Sequence, residues 1–165
     1  MPADDHAANV LRPGQGKTVS FAGSFSGNQV TFIYEEPDRA YSLIEWVAAP
    51  GALGTPLHLH RATNESFYVL EGMFGFQVGY QTFEATSGTF VFVPKGVEHA
   101  FWNGGTMSSR LLSTVSPPGF ERYFEELGEG LAAAGDDAEA AASLRKALSE
   151  KHDIEVMGPP QQTTV

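Results

Sequence analysis

Residues 51–72 read GALGTPLHLHRATNESFYVLEG, and residues 88–103 read GTFVFVPKGVEHAFWN. Three of the five histidines in the chain lie in these two stretches, at His58, His60 and His99, together with a carboxylate at Glu65. Side chains two positions apart on a strand point the same way, so His58 and His60 can reach one ion from a strand, whereas on a helix they would diverge. The spacing therefore favours extended chain around a shared site.

The segments between these residues can bring them together. The polar run 61–64 can turn the chain and open a strand over 65–71, which returns Glu65 to the imidazoles. Pro94-Lys95-Gly96 opens a third extended segment over 97–102, because proline forbids a helix interior and glycine permits a tight turn. We predict that the four side chains meet inside a folded sheet.

Three imidazoles and one carboxylate form a mixed nitrogen and oxygen donor set. Such a set suits iron, nickel, manganese, copper or zinc, whereas calcium and magnesium prefer oxygen. The chain has no cysteine, which excludes a thiolate zinc site. Four protein donors leave one or two positions for water, dioxygen or a chelating substrate, and this favours a catalytic ion of unspecified identity.

These two stretches resemble the two motifs of the cupins. The first motif is matched by His58, His60, Glu65 and Gly72, and the second at every position by Gly88, Pro94, Gly96, His99 and Asn103. Only the opening glycine of the first motif departs, because Ala52 stands there and Gly51 precedes it. The resemblance implies an all-β fold, a cupin-type antiparallel barrel of the jelly-roll or double-stranded β-helix kind.

The length, composition and net charge of the chain agree with this fold and limit the possible partners. Its 165 residues fit one domain, and twelve phenylalanines favour an aromatic-lined interior. A formal net charge of −10 argues against nucleic acid or an anionic membrane as a partner. The first residues, MPADDH, lack an apolar core, and no apolar run approaches a membrane span, so we predict a cytoplasmic protein without a signal peptide.

Short apolar segments separated by turn residues fill most of the chain. About ten strands, with one at the histidines, predict an antiparallel sandwich or barrel. The other nine cover 17–22, 29–34, 41–48, 65–71, 73–78, 82–85, 89–93, 97–102 and 109–115.

The period changes after Gly119. Apolar residues at Phe120, Phe124, Leu127 and Leu131 predict an amphipathic helix that ends at Gly135 and packs on the barrel, or else forms a lid over its mouth. Asp136 with Glu139 predicts a capping box for a second helix from 137 to about 150. We expect a flexible arm over 1–16, the barrel over 17–118, a helical extension over 119–157 and a disordered tail over 158–165.

Strand parity selects candidate cavity residues. Phe67 and Val69 share the parity of Glu65, and Val97 and Phe101 share that of His99, so these four should face inward. Parity cannot be carried across hairpins, and Phe74, Phe76, Phe90 and Phe92 are therefore further candidates whose alternative is plain core packing. We predict a substrate pocket formed by Phe67, Val69, Phe74, Phe76, Phe92 and Phe101.

Within the cupins, the chain is similar to small one-domain bacterial proteins related to quercetin 2,3-dioxygenase, through the metal motif, the strand FYVLEG at 67–72 and the run PGFERYFEELG at 118–128. The resemblance implies a metal-dependent dioxygenase for a hydroxylated aromatic, flavonol-like or enolic small molecule. A substrate oxygen would bind the metal, Glu65 would take its proton and dioxygen would attack the activated carbon. The alternative is that Glu65 only binds the metal and accepts no proton.

Two other classes of function stay open. One is a metal-assisted isomerase, cyclase or lyase for a small metabolite, which would turn over without oxygen. The other is a non-catalytic small-molecule-binding protein, since fold does not fix function. Small cupins are often dimers that pair barrels, so the resemblance also implies a homodimer.

Overall fold

The computed structural model describes residues 10–22, 26–34, 40–52 and 54–161. Within these residues the chain forms two helices and eleven strands. The strands are β1 Lys17–Ser20, β2 Gln29–Tyr34, β3 Ser42–Ala48, β4 Leu57–Leu59, β5 Asn64–Glu71, β6 Met73–Val78, β7 Gln81–Thr86, β8 Phe90–Val93, β9 His99–Trp102, β10 Ser109–Ser116 and β11 Glu155–Gly158.

The strands form two antiparallel sheets. One has six strands in the order β1-β2-β3-β10-β5-β8, and the other has five in the order β11-β4-β9-β6-β7. The aromatic core lies between them, where the Phe67 ring of the first sheet lies 5.4 Å from Phe76 and 5.3 Å from Phe101 of the second. This two-sheet arrangement confirms the predicted all-β jelly roll.

Alternation along the strands explains which face turns inward. In β3, Ile44 and Trp46 are buried while their neighbours are half-buried, and β10 repeats the pattern with Leu111 and Val115. Apolar residues at every second position pack one face of a strand against the opposite sheet. In β5 the same parity buries Glu65 beside Phe67 and Val69, so a carboxylate occupies a core position.

The two predicted helices are present after β10. α1 runs over Glu121–Ala134 and α2 over Ala138–Lys151. Phe124, Leu127 and Leu131 of α1 are buried, which confirms the predicted stripe, and Gly135 follows the helix with φ 57°. Phe124 packs against Trp46 in the core, and the centroids of the two rings lie 5.2 Å apart.

The N-cap of α2 differs from its prediction by one residue. Asp137, rather than Asp136, has an extended backbone, and its side chain accepts hydrogen bonds from the N–H groups of Glu139 and Ala140. These are the second and third residues of the helix, which a cap must reach. The capping box with Asp136 was therefore wrong.

The last strand, β11, was not predicted. It pairs antiparallel with the histidine strand β4, with Val156 opposite His58. Beyond it, the Gln161 N–H donates to the side-chain oxygen of Gln77 at 2.7 Å.

Several predictions lie partly or wholly outside the described residues. They concern the arm up to residue 9, the turns at 23–25 and 35–39, and residues 162–165 of the tail. The division of the chain into an arm, barrel, helical extension and tail stays a prediction. In the part of the chain that the structure describes, neither helix has the length and apolar character needed to cross a bilayer.

Candidate metal centre

The four predicted donors lie between the two sheets. His58 lies in β4, His60 follows that strand directly, and His99 opens β9, where it pairs in register with His58. Glu65 comes from β5 of the opposite sheet. The sheet packing therefore brings a carboxylate onto three imidazoles, and all four side chains are buried.

The donor atoms form one compact group. One nitrogen from each histidine and one Glu65 oxygen all lie within 4.8 Å of one another. The Oε2 atom of Glu65 lies 2.7 Å from the His99 Nε2 atom and 3.7 Å from the His60 Nε2 atom. Such a group can hold a divalent ion, because each side chain offers a donor toward a common point.

Each imidazole is oriented by its other nitrogen. The Nδ1 atoms of the three rings lie at hydrogen-bond distance from backbone carbonyls, 2.8 Å for His58 to Pro56, 2.7 Å for His60 to Asp153 and 3.0 Å for His99 to Val97. Because a carbonyl only accepts, each Nδ1 carries a hydrogen, so a ring that holds no second proton presents the lone pair of its Nε2 to the centre. This is the tautomer that a metal ligand needs.

One buried nitrogen of the group, the His60 Nε2 atom, has no hydrogen-bond partner among the described residues. A buried polar atom without a partner is costly, and a bound cation would satisfy this lone pair. The donor set therefore fits a metal on its own geometry.

The electrostatics of the group follow from burial and from the central carboxylate. Burial, reinforced by the nearby His99, lowers the pKa of His58 to about 3, so its ring is neutral at neutral pH. Burial also acts to lower the pKa of His60, but the Glu65 carboxylate outweighs it and raises that pKa above 6.5. Burial would raise the pKa of Glu65, yet the two imidazoles hold it well below 4.5.

A cavity of about 920 Å³ opens onto the donors. His58 and Glu65 form part of its wall, together with two of the predicted pocket residues, Phe67 and Phe101. Three other predicted residues, Val69, Phe74 and Phe76, are fully buried in the core instead.

Phe92 is a correction to the predicted pocket. It is 56% exposed on the outer face of β8, and Phe90 is 62% exposed on the same face. Val91 and Val93 occupy the inward parity of this strand, so both phenylalanines point to the outside. Tyr68, which pairs with Phe90, is also exposed.

Sequence reasoning missed most of the remaining wall. Part of it comes from Trp46 of β3, from Phe120, Tyr123 and Phe124 at the start of α1, and from α2 and the segment 154–160. Burial raises the pKa of Tyr123 to about 12, so its hydroxyl keeps its proton near the cavity. The aromatic stripe that begins at Phe120 was the available signal, since it was already a candidate lid.

One family match covers the residues that form this centre. A model of the Cupin domain family matches residues 44–115, a range that contains all four donors. Residues 44–115 form a cupin domain. The cupin superfamily membership implied by the sequence motifs is thereby confirmed.

The cupin domain is similar to one enzyme of known activity. The quercetin 2,3-dioxygenase of Bacillus subtilis (strain 168) is 29% identical over 94 residues, which cover 56% of this chain and 26% of that enzyme. The match thus spans about a quarter of the length of the relative.

Solved cupin structures resemble it in fold. A sugar phosphate isomerase of the cupin superfamily from Silicibacter pomeroyi DSS-3 has a TM-score of 0.59 at 16% identity, covering 66% of this chain and 75% of that one. An RmlC-like cupin from Shewanella frigidimarina NCIMB 400 has a TM-score of 0.56 at 23% identity, covering 67% and 92%. At these identities the likeness concerns the fold alone.

Proposed function

We propose that the protein is a metal-dependent dioxygenase that acts on a hydroxylated aromatic, flavonol-like or enolic small molecule. The proposal is carried by one arrangement, a cluster of four buried donors of which His58 and Glu65 line a cavity with aromatic side chains in its wall. Similarity to the Bacillus quercetin 2,3-dioxygenase supports the choice of reaction. His58, His60, Glu65 and His99 are the proposed ligands of one iron, nickel, manganese, copper or zinc ion.

The aromatic side chains of the wall would bind and shield a flat substrate. Phe67 and Phe101 line the cavity together with His58 and Glu65, and Trp46 stands edge-on to Phe101 with ring centroids 5.2 Å apart. These rings offer apolar faces to an aromatic substrate and exclude water from the reacting end. A bound divalent ion supplies Lewis acidity and an open position for a substrate oxygen.

Glu65 is the proposed proton acceptor for the substrate hydroxyl. Its depressed pKa keeps it ionised at neutral pH, as a ligand must be, and moving away from the two imidazoles that lower the pKa would make it a stronger proton acceptor. Proton transfer requires the carboxylate to leave its 2.7 Å contact with His99 and turn toward the cavity, whose wall it already forms.

Oxygen consumption tests this proposal. The protein is first loaded separately with each of the five metals and analysed for metal content, and oxygen uptake is then followed with a flavonol such as quercetin and with simpler enolic aromatics. We expect about one metal per chain and substrate-dependent oxygen uptake with at least one metal. Substrate turnover at an equal rate without oxygen would reject the dioxygenase and leave the metal site intact.

A metal-assisted isomerase, cyclase or lyase is the second candidate, and one observation favours it. The cavity wall includes Arg145 and Lys146 of α2, and cationic side chains suit a metabolite that carries a phosphate or carboxylate. Glu150 and Glu155 also line this side of the cavity, so the cationic character is partly offset. Turnover of such a metabolite by the metal-loaded protein under anaerobic conditions would establish this class.

We also propose that the protein is a homodimer joined through the outer face of the six-stranded sheet. Tyr68, Phe90 and Phe92 form an exposed aromatic strip there, on β5 and on β8, the edge strand of this sheet within the described residues. Copies with a net charge of −10 repel each other, so they associate best over an uncharged surface. A twofold axis would pair the strip with itself.

A further inference from the structure

Asp153 occupies an unusual place at the end of α2. It is the one non-glycine residue with positive φ, 55°, in the part of the chain that the structure describes. The Ile154 N–H donates to the Ser149 carbonyl at 3.0 Å, and the His152 N–H donates to the Leu148 carbonyl. Glycine commonly takes the left-handed position in this helix ending, so an aspartate here calls for a reason in its side chain.

The side chain and the carbonyl of Asp153 hold three consecutive residues at the exit of the histidine strand. One carboxylate oxygen accepts from the Arg61 N–H at 3.1 Å, and the other accepts from the Ala62 N–H at 2.9 Å. The backbone carbonyl accepts the Nδ1 hydrogen of His60 at 2.7 Å. The carboxylate therefore fixes the position of the carbonyl relative to the His60 ring.

The hydrogen bond from His60 to the Asp153 carbonyl sets the orientation of the His60 ring in the donor group. With Nδ1 bound to the carbonyl, the Nε2 atom, which has no hydrogen-bond partner, faces the donor group 3.7 Å from the Oε2 atom of Glu65. Phe120 packs edge-on against the same ring, with centroids 5.0 Å apart. Two residues from the C-terminal part of the chain thus set the orientation of a donor on β4.

We infer that Asp153 is a positioning residue for the metal ligand His60, and that its carboxylate clamp supports the metal affinity of the site. The inference rests on the metal centre of the proposed function. It does not depend on the reaction, because it concerns binding of the metal alone.

Titration with Co²⁺ tests the inference, with the full-length chain and a competing chelator. The Asp153→Gly variant keeps the left-handed backbone and removes both carboxylate oxygens, whereas Asp153→Asn keeps one acceptor oxygen. Loss of a group that orients a metal ligand typically costs about 10- to 100-fold in affinity. We expect a loss of this size for Asp153→Gly, a smaller loss for Asp153→Asn, and a changed visible spectrum of the cobalt-loaded Asp153→Gly protein.

Glu155→Gln is the matched control. It weakens the ion pair between Arg61 and Glu155 in the same segment but leaves the clamp on His60 intact. We expect wild-type Co²⁺ affinity for this variant, and a thermal midpoint of metal-free Asp153→Gly close to that of the wild type.

The possible outcomes separate the inference from the function. Unchanged affinity or an unchanged cobalt spectrum in Asp153→Gly would overturn the inference alone. An equal loss in Glu155→Gln would also overturn it, because general loosening of β11 would then be the cause. A wild-type protein that fails to bind Co²⁺ would overturn both the inference and the proposed metal site.

Discussion

Gly75 lies against the indole ring of Trp102, and replacing it with alanine tests how tightly this contact is packed. A Cβ atom at position 75 would lie 2.3 Å from the Cε2 atom of Trp102 and 2.5 Å from its Nε1 atom. Trp102 is buried, and its ring is rigid, so the added methyl group forces β6 and β9 apart or turns the indole. Because β9 begins at His99, the disturbance reaches a strand that carries a proposed metal ligand.

The expected loss follows from the contact. Overpacking a well-packed core costs about 1–3 kcal/mol, and several ring atoms in hard contact place this change at the upper end. The alanine recovers about 0.4–1 kcal/mol by restricting the unfolded chain, which leaves a net loss of about 2 kcal/mol in the free energy of unfolding. For a domain of this size, the thermal midpoint should fall by about 4–8 °C.

Urea unfolding, followed by circular dichroism, measures this loss. Gly104→Ala is the matched control, because its Cβ would lie 3.5 Å from the same indole, an ordinary contact. Combining Gly75→Ala with Trp102→Phe should restore part of the loss caused by Gly75→Ala, since the smaller ring makes room. A Gly75→Ala protein within about 0.5 kcal/mol of the wild type would refute the packing argument.

Three further predictions concern the site and the surface. Glu65→Gln removes the central charge, which is worth about 1.5–3 kcal/mol as a charged hydrogen-bond partner, so Co²⁺ affinity should fall about 10- to 100-fold and turnover should cease. Metal binding should release a proton from His60 near neutral pH, because its raised pKa favours the protonated ring in the metal-free protein. Affinity should then fall about tenfold per unit as pH drops below that pKa, as calorimetry in buffers of different ionisation enthalpy can measure. Phe92→Lys should convert the proposed dimer to monomer in sedimentation.

Each of these three has an outcome that contradicts it. Wild-type Co²⁺ affinity in Glu65→Gln would remove the carboxylate from the ligand set. Zero proton release at pH 6.5 would exclude a protonated His60. A dimer that persists in Phe92→Lys would place the interface elsewhere, and Tyr80→Lys, a change at a fully exposed residue, is the control for added charge.

The strands were predictable wherever alternation and turn residues agreed. Gln29–Tyr34 and Met73–Val78 have the predicted bounds, because Asn28 precedes the first strand and glycines flank the second. The strand predicted over 97–102 begins only at His99, since Val97 lies in the turn that follows Pro94. Motif spacing also predicted the donor cluster, because His-x-His on one strand fixes two of its members.

The missed features depend on contacts between distant parts of the chain. β11 carries no alternation of its own and exists through its pairing with β4. Phe92 and Phe90 were ambiguous because parity does not carry across a hairpin, and the register of β8 against β5 settles their face, with Val91 opposite Phe67. The contact of Asp153 with His60 spans 93 positions, beyond the reach of any local pattern.

The 93 positions between His60 and Asp153 separate the two residues in time during translation. A ribosome adding about 5–20 residues per second delivers Asp153 roughly 5–20 seconds after His60. During this interval the nascent polypeptide has the ring without the carbonyl that orients it. The order of translation therefore delays full assembly of the site until the barrel strands have already been synthesised.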